Sequence, residues 1–122
     1  MAAIQIRRVR SAVEDSFAWV SLWYGPEARK FDALHLACEK TAGDGIYMER
    51  YGQAVACYDG VKRVLVKGDR LEFQFNARGK KALRLSTNLR LVAPKHLVGW
   101  KKACRVLQEM AGYPSASVLT VA

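Results

Sequence analysis

The sequence has few of the residues on which catalytic and metal sites depend. Histidine occurs only at His35 and His96, and cysteine only at Cys38, Cys57 and Cys104. No Cys-x-x-Cys pair and no zinc-site spacing is present. No apolar run reaches the roughly 18 residues of a membrane span, and the arginines near the N terminus precede no signal-peptide core. We therefore expect a cytoplasmic protein that has no membrane segment, cofactor or metal.

The few candidate catalytic residues have simpler structural explanations. His35 lies in an apolar strand pattern and is expected to be packed or hydrogen-bonded, whereas His96 follows Lys95 and is expected to be solvated. His35 and Cys38 are three residues apart, which places them on opposite faces of a strand. The glycines at 43–45 and 59–60 are typical of turns and do not match a phosphate-binding loop. We therefore expect no enzyme activity.

The 122 residues fit one domain, covering residues 1–122, and 51% of them are hydrophobic. A chain of this length can bury a core without disulfides or a metal. The three cysteines are far apart and each has apolar neighbours. We therefore predict reduced, buried thiols.

Apolar residues that alternate along the chain predict many short strands. The predicted strands cover 4–9, 16–24, 31–38, 46–51, 54–58, 61–66 and 71–75, with a further strand around Thr87. Segment 16–24 is apolar on both faces, so we expect a central strand that Gly25-Pro26-Glu27 ends. Segment 31–38 is also compatible with a short helix. Gly52-Gln53 predicts a tight hairpin turn.

One segment has a strong helical period. Pro94 suits a first helical turn, an apolar stripe with spacings of three and four follows from Leu97, and Gly112 predicts the end. Asn76 can cap one or two helical turns that run to Ala82, and residues 115–122 form an edge strand or remain loose. Strands followed by one helix predict an α+β fold, with an antiparallel, meander-like sheet and the long C-terminal helix packed on one face.

Positive charge is concentrated in the second half of the chain. Residues 1–60 contain seven Lys and Arg against eight Asp and Glu, whereas residues 61–122 contain thirteen against three. The whole excess of +9 therefore comes from the second half. Such asymmetry predicts a positive surface that attracts an anionic partner.

Nucleic acid and an acidic protein are both compatible with this charge. The sequence indicates no pair of aromatic residues on an exposed sheet face, where bases would stack. The C-terminal helix also lacks a preceding partner helix of the kind that accompanies docking in the major groove. Nucleic acid therefore stays open as the less favoured partner.

Several hairpin and core signals occur in a fixed order along the chain. They are Tyr47 and Glu49 in an aromatic strand, Tyr58 with Gly60 and Val64 across a turn, Arg70 with Leu71 in the next strand, Asn76 to Leu83 in a short helix, and Leu97 to Met110 in the final helix. In this order they resemble the immunity protein ten family of bacterial polymorphic toxin systems, and the resemblance covers roughly residues 16 to 110.

The resemblance implies a non-enzymatic protein that binds and neutralises a toxin, and no cofactor. Members of that family tend to be acidic, whereas this chain is basic, which keeps nucleic acid open as a partner. We expect a cognate toxin domain with an acidic surface, and a homodimer is also compatible with an edge strand. Tyr47, Tyr51 and Tyr58 are either anchors for the partner or hairpin and core packing. The predicted partner-binding residues are Arg78, Lys80, Lys81, Arg84, Lys101, Lys102 and Arg105.

Overall fold

The computed structural model describes residues 3–27, 30–41, 43, 45–51 and 55–122, and the side chains of all of these except 26, 27, 30, 31 and 51. The strands are β1 (Ile4–Val13), β2 (Phe17–Glu27), β3 (Lys30–Glu39), β4 (Tyr47–Tyr51), β5 (Val55–Tyr58), β6 (Val61–Lys67), β7 (Arg70–Phe75), β8 (Asn88–Val92) and β9 (Leu119–Val121). The helices are α1 (Ala77–Leu83) and α2 (Trp100–Ala111), and a 3₁₀ turn covers Pro114–Ala116.

The strands form one nine-stranded sheet in the order β5-β4-β3-β2-β1-β8-β7-β6-β9. Strands β1 to β5 are consecutive antiparallel neighbours, and so are β6, β7 and β8. Strand β1 joins the two runs because Ile4 and Gln5 pair in parallel with β8, and β6 pairs in parallel with β9. The α+β class is confirmed, whereas the expectation of a wholly antiparallel sheet was wrong at these two pairs.

Strand β2 lies between β1 and β3, so its predicted central position is confirmed. Its inward side chains Val20 and Leu22 are completely buried. The predicted end at Gly25-Pro26-Glu27 was wrong, because the strand continues to Glu27. The pairing register with β3 shifts between Tyr24 and Glu27, and such an irregularity tolerates a proline that cannot donate to the ladder.

Strands β6 and β7 have one buried and one open face. On β7, Leu71, Phe73 and Phe75 are each at most 2% exposed, and burial of such a side chain contributes about 1.5–3 kcal/mol. The strand predicted around Thr87 begins instead at Asn88. Leu83, the last residue of α1, packs in the core.

Helix α1 begins where the sequence predicts it. The side chain of Asn76 accepts a hydrogen bond from the amide of Gly79 at 2.9 Å, which satisfies one free helix donor. Arg84 ends the helix in the left-handed conformation. The helix contacts β5 and β7.

Helix α2 begins at Trp100, so its predicted start near Pro94 was wrong. His96 and Gly99 have φ angles of +66° and +88°, which a right-handed helix cannot contain. Lys95 therefore precedes the helix. The stripe is confirmed, because Val106, Leu107 and Met110 are buried and Leu97, Trp100, Cys104 and Ala111 pack partly buried against the core. Gly112 follows the last turn as predicted.

The buried residues of both runs of strands, α1 and α2 form one core. Helix α2 contacts β1, β2 and β9. The edge-strand alternative predicted for the C-terminal segment is confirmed, because β9 pairs with β6. Of the two helices, neither is long and apolar enough to cross a membrane.

Candidate binding surface

The outer face of β1 to β5 carries a group of aromatic and basic side chains. We call it the aromatic face and define it by Arg8, Arg10, Phe17, Trp19, Trp23, His35, Tyr47 and Tyr58. These residues alternate with buried ones because successive side chains of a strand point to opposite faces. Trp19 and Trp23 are partly exposed on this face. The expectation that an exposed sheet face would carry no aromatic pair was therefore wrong.

Ring contacts order the aromatic face. The Arg8 guanidinium lies 5.1 Å from the ring centroid of Trp23, within cation–π range. The rings of Trp19 and His35 are 5.7 Å apart. Tyr47 and Tyr58 face each other across β4 and β5 at 5.0 Å, and Tyr58 is 53% exposed. Both the packing and the anchor interpretations of these tyrosines remain compatible with this geometry, and the side chain of Tyr51 lies outside the described residues.

A row of polar residues crosses the middle of the aromatic face. Its members are Arg10 on β1, Ser21 on β2, His35 on β3 and Glu49 on β4, each directly opposite the next. The hydroxyl of Ser21 is 2.7 Å from Nδ1 of His35, so the hydrogen bond predicted for this imidazole is confirmed. The expected position in the core was wrong, because His35 is partly exposed on the outer face. We call these four residues the polar row.

A shallow cleft of about 380 Å³ surrounds the centre of the polar row. It is lined by Arg10, Phe17, Trp19, Ser21, Trp23 and His35. Trp19 is opposite Ala37, and Trp23 is opposite Ala33, so each large ring has a small neighbour on β3. The tryptophans therefore form the walls of the cleft, and the partly exposed His35 with the buried Ser21 forms its floor.

Ser21, His35 and Glu49 together have the residue types of a hydrolase triad. Ser21, however, is only 3% exposed. It is in the middle of a central strand that pairs on both sides, which commits the nearby backbone amides to the ladders and not to an oxyanion. Burial lowers the pKa of His35, with an opposing effect from Glu49, so the imidazole is neutral at pH 7. Arg10, His35 and Glu49 are therefore the members of the polar row that a partner can reach, whereas Ser21 is buried beside His35.

The seven predicted partner-binding residues are all exposed. Arg78, Lys80 and Lys81 lie on α1 and Arg84 at its end, whereas Lys101, Lys102 and Arg105 lie on α2. Because the two helices contact different strands, these residues form two basic groups on separate elements. Within the described residues, none of the seven has an ion-pair partner within 4 Å.

His96 is exposed, as predicted.

A third basic group lies on the outer face of β6 to β8. It comprises Arg63, Lys67, Arg70 and Arg90, all exposed. Arg90 is 3.6 Å from Glu72, and both side chains are solvated, so this ion pair contributes little. The positive charge of the second half is thus divided among the sheet and both helices.

The ion pair of Asp32 and Arg50 was not predicted. A side-chain nitrogen of Arg50 is 2.6 Å from a carboxylate oxygen of Asp32, and Arg50 also donates to the carbonyls of Leu83 and Arg84. It therefore binds β4 to the end of α1. No local sequence signal could have indicated this link between β4 and α1, because Arg50 and Leu83 are 33 residues apart.

The cysteines are free thiols, with Cys38 and Cys57 buried and Cys104 partly buried. The prediction of buried, reduced thiols is thus confirmed for the first two. Among the residues that the structure describes, no three His, Cys, Asp or Glu side chains are grouped to hold a metal ion.

Comparisons of the chain with protein families, curated proteins and solved structures found no match. The features that bear on function are therefore the aromatic face and the basic groups. The aromatic face combines the side chains that carry affinity in protein interfaces, and the basic groups lie around other elements of the same domain.

Proposed function

We propose that this chain is a non-enzymatic immunity protein, which binds a cognate bacterial toxin domain in the cytoplasm and neutralises it by occluding its active site. The aromatic face is the main contact surface. The basic residues of α1 and α2 attract a toxin whose surface is acidic and thereby increase the association rate.

The composition of the aromatic face carries this proposal. Trp, Tyr and Arg are the side chains that most often dominate the affinity of a protein interface. Here Arg8, Trp19 and Trp23 occur within one open sheet face and are held by contacts within it. Side chains that are already ordered lose little conformational freedom on binding, which favours tight association.

The charge of the same face favours protein over nucleic acid. Arg8 and Arg10 lie on β1, and Glu39 and Glu49 lie on β3 and β4, so the positive and negative charges balance across the described part of this face. A nucleic-acid surface would combine its aromatic rings with an excess of basic residues. In this protein most of the basic residues lie elsewhere, on both helices and on β6 to β8.

The proposal is tested with the toxin domain encoded beside this chain's gene. We expect the two purified proteins to form a stable 1:1 complex at physiological salt, and coexpression of this chain to restore growth of cells that make the toxin. Size-exclusion chromatography with light scattering also distinguishes this complex from a homodimer. Absence of a complex at both low and physiological salt would contradict the proposal.

Nucleic acid remains the second candidate because Trp19 and Trp23 are partly exposed near Arg8 and Arg10. Base stacking on such rings contributes about 1–3 kcal/mol per base. The measurement that separates the candidates is fluorescence anisotropy with labelled single-stranded and duplex oligonucleotides over a range of salt. Binding tighter than that of the toxin, with a steep decrease as salt rises, would favour the second candidate.

A further inference from the structure

We infer that the aromatic face recognises a toxin surface of divided charge, in which a carboxylate contacts Arg10 and a cationic side chain contacts Glu49. This inference rests on the proposed function and deepens it. It differs from the simple expectation of an acidic partner, because an acidic surface alone would be repelled by Glu49.

The register of the strands fixes the spacing of the two charges. Arg10 is opposite Ser21, Ser21 is opposite His35, and His35 is opposite Glu49. Arg10 and Glu49 are therefore three strand spacings apart, or about 14 Å at roughly 4.8 Å each. Because all four members of the polar row are on the same face, one partner surface can reach both ends.

The residues between the two charges form a hydrogen-bonded floor and apolar walls. Ser21 and His35 form the middle of the row and contact each other at 2.7 Å. Trp19 and Trp23 stand on either side of Ser21, four residues apart on β2, which is about 13 Å along a strand. Because the two rings occupy part of this Cα–Cα distance, the gap between them suits an extended segment and is too narrow for a helix, which is about 10–12 Å across with its side chains.

The polar row, and not the cleft, sets the orientation of that segment. The cleft is lined by Arg10, Phe17, Trp19, Ser21, Trp23 and His35 and surrounds the row on β1 to β3, whereas Glu49 continues the row on β4. A segment that runs across the strands, parallel to the polar row, would place its apolar side chains against the rings and its two charged groups at the ends. The occupant to which we commit is therefore one toxin segment with an acidic group and a basic group about 14 Å apart.

Charge reversal of Glu49 distinguishes a divided from a uniformly acidic partner. Glu49→Lys raises the net charge of the protein by two, so it should strengthen binding to an acidic surface. It should weaken binding if Glu49 contacts a cation. Glu72→Lys makes the same change on the outer face of β7, away from the polar row, and serves as the matched control. Arg10→Glu is likewise matched by Arg63→Glu on β6.

The experiment measures the Kd of each variant for the toxin domain encoded beside this gene, by isothermal titration calorimetry at physiological salt. We expect Glu49→Lys and Arg10→Glu each to weaken binding at least tenfold, and Glu72→Lys and Arg63→Glu to change it less than threefold. Milder variants, Glu49→Gln and Arg10→Gln, should weaken binding in the same direction if a reversed charge unfolds the protein. Far-UV circular dichroism confirms that each variant is folded.

Tighter or unchanged binding by folded Glu49→Lys and Glu49→Gln would overturn the inference and leave the proposed function intact. Equal effects of the variants and their matched controls would also overturn it, because they would show long-range charge alone. No binding by the unmodified protein would overturn both the proposed function and this inference.

Discussion

Gly60 and Gly79 pack against each other with no room for a side chain at either position. A Cβ on Gly60 would lie 2.9 Å from the Cα of Gly79, and a Cβ on Gly79 would overlap the carbonyl of Gly60. Asn76 donates two hydrogen bonds to the same turn. Its backbone amide donates to the carbonyl of Gly60 at 3.0 Å, and its side-chain amide donates to the carbonyl of Asp59 at 2.8 Å. The turn between β5 and β6 is thereby fixed to the start of α1.

We predict that Gly79→Ala lowers the free energy of unfolding by about 1–3 kcal/mol or more, because backbone atoms must move to make room. Denaturant unfolding followed by circular dichroism measures the change. Gly112→Ala is the control, since its Cβ would be 3.4 Å from the Glu109 carbonyl oxygen and should cost less than about 1 kcal/mol. A loss below 1 kcal/mol in Gly79→Ala would show that the two elements are not in close contact.

Local sequence signals predicted the elements well and their arrangement only in part. Asn76 predicted a helix start because its side chain satisfies a donor of the next turn. The start of α2 was misplaced because proline alone indicates a first turn, whereas the left-handed His96 and Gly99 that exclude a helix there depend on the fold. The parallel pairing of β1 with β8 joins residues more than 80 positions apart, and no periodicity reports it.

The candidate site was also predicted only in part from the sequence. The alternation of Phe17 and Trp19 with Ala18 and Val20 predicted the two faces of β2. It could not show that only one face would be covered by the core, because both are apolar. The sequence therefore indicated a central strand, and only the tertiary structure shows the open aromatic face.

Arg50→Ala should lower the free energy of unfolding by about 2–3 kcal/mol, because Asp32 and the carbonyls at the end of α1 lose their donor. The figure is below that of a fully buried pair, since the two side chains are 18% and 25% exposed. Amide hydrogen exchange should accelerate in α1. Arg50→Lys keeps the charge without the forked geometry and should recover only part of the loss. Wild-type exchange rates in Arg50→Ala would contradict this role.

The stability of the protein should depend on His35 at mildly acidic pH. Burial lowers the pKa of His35 below 6.5, so the unfolded chain takes up a proton before the folded one. The free energy of unfolding should therefore fall as the pH decreases from about 7 through this range. The decrease in the free energy of unfolding at mildly acidic pH should be smaller in His35→Gln, whereas His96→Gln should show the same decrease as the wild type. Parallel pH profiles for wild type and His35→Gln would refute the prediction.

The three thiols should react slowly in the folded protein. Burial raises the pKa values of Cys38, Cys57 and Cys104, and the thiolate is the reactive form. With Ellman's reagent at pH 8, we expect Cys104 to react first because it is the least buried by surface area. All three should react at once in guanidinium. Immediate reaction of Cys38 in the native protein would contradict its buried position.

The most direct test of toxin binding through the aromatic face is the affinity of its tryptophan variants. We predict that Trp19→Ala and Trp23→Ala each weaken binding of the neighbouring toxin domain by about 2 kcal/mol or more, roughly 30-fold in Kd. Val98→Ala is the control, because Val98 is 88% exposed yet lies outside the aromatic face, and it should bind as wild type does. Wild-type affinity in both folded tryptophan variants would contradict the account.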